Sequence, residues 1–336
     1  MDKFSDELIK IIKNQTPAGI NSVDLLRSVL PMSKEAAYRR LRGEIVFSLE
    51  EAVKLSQRFN ISLDNLKSIN SSTSQQPHVR RLFNPCDQYD SINKYCLLQE
   101  NYISCVKRIK MGNNPSILCN THLFPHPYIY KYPNISKLRV YRFFYSQNED
   151  TDHYGKFSEF IVPERILELE QILYRETLPV QLNYICSKDL ILAYMTDINY
   201  FHKLGILSRE DVENQQQSLF SLMDDISYDA MEGKNAQRAI FLLFVSGIRF
   251  SANCVYFSCD DFEKLIVQLF GFNIYSFNDQ NSIKDMKNWM DNLVKSSILI
   301  SSCGEKQRID FFRQQRDIIA SLNSYDAINI GEKFVH

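Results

Sequence analysis

Over residues 1–67, apolar side chains recur in short bursts at the spacing of a helix face. Leu8, Ile11 and Ile12 set the first, over 6–13. A Thr16-Pro17-Ala18-Gly19 break precedes a second, over 21–30, which Pro31 ends because proline disfavours helical backbone in the residue before it. Ser33 is placed to cap a third helix that runs to Arg42 and stops at Gly43. Ser48-Leu49-Glu50-Glu51 reads as a capping box, in which Ser and Glu satisfy each other's free amides at a helix start. The spacing predicts that the helix it opens buries Ala52, Val53, Leu55 and Phe59, with Ile61, Leu63 and Leu66 closing the unit.

After Lys67 the pattern stops. Residues 68–77 hold one apolar side chain, too little to repay the entropy of ordering them. The expectation is a flexible linker over 68–82, ending on Arg80-Arg81, with no internal repeat beyond it. Periodicity returns in mixed form over 83–336. Residues 138–146 (LRVYRFFYS) and 160–162 read as strands, and 240–245 with 253–258 as two arms of a hairpin around Ser246-Gly247. Helices are expected at 87–110, 164–176, 188–204, 208–232, 260–270, 282–297 and 304–322. The fold class is then a mainly α N-terminal domain followed by a larger, helix-rich α+β domain with a small antiparallel sheet.

Composition narrows the class. The chain has 336 residues, 44% hydrophobic and 24% charged, with a formal net charge of −1, which excludes global disorder. Residues 1–13 lack the pattern of a signal peptide, and the longest apolar run, 239–248, is about half of a membrane span. Eight scattered cysteines are too few for a disulfide scaffold, so reduced thiols in a cytoplasmic protein with no membrane contact are expected.

Charge is concentrated where it changes the picture. Residues 1–70 carry eleven basic and nine acidic groups, but 33–42 alone hold four basic groups against one acid. At about 100° per residue, Ala37, Tyr38 and Leu41 of that third helix fall on one side. Glu35, Ala36 and Arg39 point the other way, flanked by Arg40 and Arg42. A short cationic helix with a small residue on its outer face suits the DNA major groove. There Arg or Lys donates to guanine, Ala meets a thymine methyl, and neighbouring cations neutralise phosphates. The DNA-contact candidates are Lys34, Glu35, Ala36, Arg39, Arg40 and Arg42. The plainer alternative is a solvated face with Glu35 paired to Arg39.

The order short helix, turn, basic helix, Gly43, Ser48-Leu49-Glu50-Glu51-Ala52 and Ile61-Ser62-Leu63-Asp64-Asn65-Leu66 resembles the helix-turn-helix domain of the lambda repressor and Cro family over about residues 4–67. The resemblance implies that 21–30 is the first helix of the motif and 33–42 the recognition helix, acting as a dimer on double-stranded DNA. Leu26 departs from the family's usual small residue, and Pro31-Met32 replaces its glycine-containing turn. The whole chain also resembles helix-turn-helix regulators of Bacteroides-type bacteria. Ala36-Ala37-Tyr38-Arg39-Arg40-Leu41-Arg42-Gly43-Glu44 and Gly304-Glu305-Lys306-Gln307-Arg308 carry that likeness, which implies no known ligand.

The large domain offers weaker chemistry. Cys119, His122 and His126 have the spacing of three zinc ligands but no fourth nearby, and read as incidental, so no metal or cofactor is expected. Ser302 and Glu305 read as a capping box that would aim the amides of 303–306 outward, making Gly304, Lys306 and Arg308 a candidate anion site without the glycines of a phosphate loop. Asp224-Asp225 and Asp260-Asp261 read as helix surface and helix start, and the 22 Phe, 18 Tyr and single Trp289 as core. The stripe Ile309, Phe312, Ile318, Ile319 and Leu322 suits either a dimer interface or the core. The reading is a non-enzymatic transcriptional regulator whose large domain dimerises or senses a small-molecule or protein effector. The rivals are a protein adaptor docking through its helical head, and an unrecognised enzyme that binds DNA to regulate itself.

Overall fold

In the computed structural model, residues 3–16, 21–59, 79–81, 90–121, 127–147, 155–250, 252–269, 273–277 and 280–323 are described. The chain divides into two compact units, Met1–His78 and Val79–His336.

The first unit, the head, holds α1 (Lys3–Gln15), α2 (Ser22–Val29), α3 (Lys34–Leu41) and α4 (Leu49–Phe59). Its local signals act as the sequence predicts. Asn21 accepts the Val23 amide at the start of α2, and Ser33 accepts that of Ala36 at the start of α3. The core joins Leu8 and Ile12 of α1, Val23 and Leu26 of α2, Ala37 and Leu41 of α3, and Ala52 and Leu55 of α4. Val53, expected inside, is exposed: it lies one position off the Ala52–Leu55 stripe and on the same face as exposed Leu49. Ile61, Leu63 and Leu66 lie outside the described residues, as do 68–78.

The second unit is built on one eight-stranded mixed sheet, ordered β1-β7-β6-β5-β2-β3-β4-β8. Its strands are β1 (Val79–Arg81), β2 (Ser116–Thr121), β3 (Gln181–Ser187), β4 (Phe241–Ser246), β5 (Asn253–Cys259), β6 (Phe262–Leu269), β7 (Asn273–Phe277) and β8 (Ser297–Leu299). Its helices are α5 (Ser91–Lys110), α6 (Pro133–Gln147), α7 (Glu164–Thr177), α8 (Leu192–Lys203), α9 (Arg209–Glu232), α10 (Gln280–Lys295) and α11 (Glu305–Ala320). The centre, β2-β3-β4, is parallel, joined through α6–α7 and then α8–α9 as parallel pairing requires. β5, β6 and β7 meander antiparallel on one side, and β8 closes the other.

Alternate strand positions feed two cores. Ile117, Leu182, Tyr184, Phe241 and Leu243 pack under a thick layer from α5 to α9 and α11. Leu118, Ile185, Tyr256, Leu265 and Val267 pack against Ile283, Met290 and Leu293 of α10. Each such buried side chain contributes about 1.5–3 kcal/mol relative to exposure. Some of the buried polar groups are tied down by hydrogen bonds. Glu170 is buried where it accepts from the hydroxyls of Ser136 and Tyr95, and burial pushes its carboxyl above the usual carboxylate range.

Several expectations are corrected. The sheet is neither small nor purely antiparallel. Residues 138–146 belong to helix α6, whose first residue is Pro133, a favoured first-turn position. Residues 160–162 have no regular structure, and 260–270, expected helical, contains strand β6, paired on both sides. The segments 240–245 and 253–258 do contain strands, yet they do not pair: β4 lies between β3 and β8, and β5 between β2 and β6. Val79–Arg81, assigned by composition to the linker, is an edge strand on β7.

Candidate nucleic-acid interface

The interface is built outward from α3. Ala37 and Leu41 anchor this helix on the head core, which leaves Lys34, Glu35, Tyr38, Arg39 and Arg42 exposed on its outer side. Ala36 is half-buried behind them. Tyr38, assigned by periodicity to the inner face, is 38% exposed, one position from Arg39 and one turn from both Lys34 and Arg42. Its rotation of about 100° from Ala37 marks it as a boundary position, and that is the signal a stricter helical wheel carries.

The far end of the helix is fixed by backbone geometry. Gly43 takes a left-handed φ of 76°, its N–H donates to Arg40, and the Glu44 N–H donates to Arg39. This closing motif needs a residue without a Cβ penalty. It also sets Glu44 between two guanidiniums, 3.4 Å from Arg39 and 3.3 Å from Arg42. Arg39 therefore pairs with Glu44 and not with Glu35. Both pairs are exposed, so each is worth about 0–1 kcal/mol and opens readily to a competing phosphate.

Arg40 has a different task. Its guanidinium donates twice to Glu51, Nε to Oε2 at 3.2 Å and Nη2 to Oε1 at 2.8 Å, with only 17% of its side chain exposed. Glu51 also accepts the Ser48 amide at 2.9 Å, while Ser48 Oγ accepts the Glu51 amide at 3.2 Å, so the capping box is complete. One carboxylate thus joins the end of α3 to the start of α4 and holds the outer face in place. Glu51→Ala is expected to cost the head about 2 kcal/mol, the sum of a lost cap and a lost charged hydrogen-bonded pair. Thermal melting of the head checks this, and adding Arg40→Ala to that variant is expected to cost little more.

The large-domain candidates do not converge on a site. Gly304 itself, at φ 64°, precedes α11, and no side chain caps the helix, so the box expected from Ser302 and Glu305 does not form. Ser302 is left-handed too, at φ 58°, which takes its side chain away from a capping position. Arg308 turns inward and donates to the carbonyls of Ile300 at 3.0 Å and Cys303 at 3.1 Å, while Lys306 is exposed. Three candidate anion ligands are therefore one loop clasp, one exposed cation and one glycine that the turn requires.

Cys119 is buried in β2, and His122 and His126 lie outside the described residues. Burial raises the Cys119 thiol, and it pushes those of Cys186 and Cys254 up to about 12, which keeps all three protonated near neutral pH. Asp224 pairs with Arg316 and Asp225 with Lys131. Asp260 and Asp261 sit in the β5–β6 turn and not at a helix start. Of the stripe over 309–322, Phe312, Ile318, Ile319 and Leu322 are core, and Ile309 is exposed. Among the described residues no helix is long and apolar enough to cross a membrane.

No curated protein and no solved structure matches the chain. A family model does: residues 5–105 match the BetR domain, a regulator domain of helix-turn-helix type. The match covers the four helices of the head and most of α5, beyond the 4–67 span of the lambda–Cro resemblance, whose finer features it does not extend to. In its first third the chain is thus similar to helix-turn-helix regulators that carry a BetR domain.

Proposed function

We propose that the protein is a sequence-specific DNA-binding transcriptional regulator, not an enzyme, that inserts α3 in the major groove. The observation that carries this reading is the outer face of α3: three cations, Lys34, Arg39 and Arg42, with Glu35 and Tyr38, on a helix locked at both ends. Arg39 and Arg42 have the reach and donor geometry for guanine edges or phosphates, and Glu35 can accept from a cytosine amine. Ala36 is set back, so it approaches a base only as part of the helix surface. Arg40 acts as a positioning residue through Glu51. One short cationic face binds weakly alone, so the reading includes a homodimer on two half-sites, with the large unit pairing the heads or sensing an effector.

The test is capture of host genomic fragments by the full-length protein at low and moderate salt, against an Arg39→Ala/Arg42→Ala variant. Selective enrichment is expected, with each lost arginine weakening binding about tenfold and lowering the salt slope by about one where it contacts a phosphate. No enrichment, or equal enrichment by the variant, overturns the assignment. A second reading, an adaptor that docks proteins through the head, is favoured by Val46, Leu49 and Val53, which the head leaves exposed. It predicts salt-insensitive behaviour and no DNA affinity.

A further inference from the structure

β4 and β5 are consecutive in the chain but three positions apart in the sheet, with β3 and β2 between them. Both β4's end and β5's start lie at the carboxyl end of the parallel strands, so the chain between them, described at 247–250 and Ala252, leads past the ends of β3 and β2 like a strap. It is anchored at each foot. The Ser246 hydroxyl donates to Ile248 O at 2.8 Å and accepts the Ile248 amide at 3.1 Å. Asn120, wholly buried on β2, donates from Nδ2 to Ala252 O at 2.7 Å, and its Oδ1 has no partner among the described residues. In between, Phe250 is driven into the core shared with α10.

Beneath the strap, on the α10 side, lies a cleft of about 620 Å³. Ser187 and Asp189 line it from the end of β3, Arg249 and Phe250 from the strap, and Met286 and Trp289 from α10. Its volume is that of a small-molecule site, and its place, outside the carboxyl ends of parallel strands, is where open α/β sheets bind ligands. The lining has three chemical parts. Phe250, Met286 and Trp289 are its large apolar side chains, and Trp289, the chain's single tryptophan, is 41% exposed. Arg249 is exposed and makes no ion pair with any described residue. Asp189 accepts the Ser187 hydroxyl on one oxygen and is not paired with Arg249 either. A cation and a carboxylate that share a cleft without meeting are matched to a ligand bearing both opposite charges.

We propose that this cleft binds a small zwitterion with an apolar, planar body, of the aromatic amino-acid class. The ligand carboxylate would take the Arg249 fork, its ammonium would take Asp189, and its ring would lie against Trp289. A phosphate-bearing ligand fits less well, because the lone guanidinium is offset by a carboxylate that repels a second negative charge. The site would make the second unit an effector sensor, and its test needs no DNA, so it stands or falls apart from the DNA-binding reading.

The single tryptophan is the reporter. L-phenylalanine added to the full-length protein is expected to change Trp289 fluorescence saturably and to raise the melting temperature of the second unit. Phenethylamine and phenylpropionate, each lacking one charge, are expected to bind at least about tenfold more weakly, and Arg249→Ala to lose a similar factor for L-phenylalanine. Trp289→Phe should silence the fluorescence change while the thermal shift persists. Arg249 is exposed, so its variant is expected to melt like the parent without ligand. Absence of saturation at millimolar ligand, equal binding by Arg249→Ala, or tighter binding of adenosine monophosphate than of L-phenylalanine each overturns the assignment.

Discussion

Leu26→Ala is expected to abolish DNA binding by unfolding the head while the second unit melts as before. Leu26 is fully buried in a core that has eleven buried side chains among the described residues. Removing its isobutyl group leaves a cavity, and Leu→Ala at such sites costs about 2.7–5 kcal/mol. A core this small rarely supplies more than about 3–5 kcal/mol in total, so the change consumes most or all of the head's stability. α3 depends directly on it, because Ala37 and Leu41 rest on the same core. The family that the head resembles often has a small residue at this position, but here the larger side chain fills the space between helices, and an alanine would leave it empty. Calorimetry should show the head's transition lost near room temperature and the second unit's transition within a degree or two of the parent. Retained DNA binding with both transitions intact would show that Leu26 is not part of the head's working core.

The head was legible because its signals are local. Ser33, Gly43 and the Ser48–Glu51 box each act within a few residues of themselves, through amides that the next turn leaves free, so no tertiary information is needed to place them. What the sequence hid was the partner of each arginine. Arg39, Arg40 and Arg42 look equivalent in the chain, yet the fold sends Arg40 to Glu51 and leaves the other two beside Glu44. That choice depends on where α4 starts relative to the end of α3, which is tertiary geometry.

The sheet was misread for the opposite reason. β2 (SILCNT) and β3 (QLNYICS) are covered on both faces, so they lack the polar alternation that announces a half-exposed strand. α6, rich in aromatic and β-branched residues, has buried side chains around much of its circumference, which hides the helical stripe and leaves a strand-like composition. In β6, Phe262, Leu265 and Ile266 fall by chance at helical spacing. The strap over β2 and β3 is hidden in the same way, because a hairpin and a crossing look identical in sequence until the sheet order is known. The cleft below it was invisible, since Asp189, Arg249 and Trp289 come together only through that crossing.

The other large effect is expected at Phe241, where sheet and helical layer meet. Phe241→Ala is expected to destabilise the second unit by about 3–5 kcal/mol and leave the head untouched. The ring is fully buried at the start of β4, edge-on to Tyr128 at 5.5 Å and tilted against Tyr184 at 5.9 Å. Its backbone amide donates to the carbonyl of Gly233, the left-handed residue that ends α9, so the position also ties the helical layer to the strand. Tyr128 in turn donates to Asp229 at 2.5 Å, and loss of the ring loosens the packing that orients that bond. The Tyr184 hydroxyl has no partner among the described residues, so a water entering the new cavity can recover part of the loss, which places the expected value nearer the lower end. At about 2–4 °C per kcal/mol for a domain of this length, the second transition should fall by roughly 10 °C. Phe241→Leu, which keeps most of the volume, should cost less than half as much. If the second unit pairs the heads, the alanine variant loses DNA affinity at temperatures that unfold it, while the parent still binds. Unchanged affinity across that transition would show that each head binds on its own.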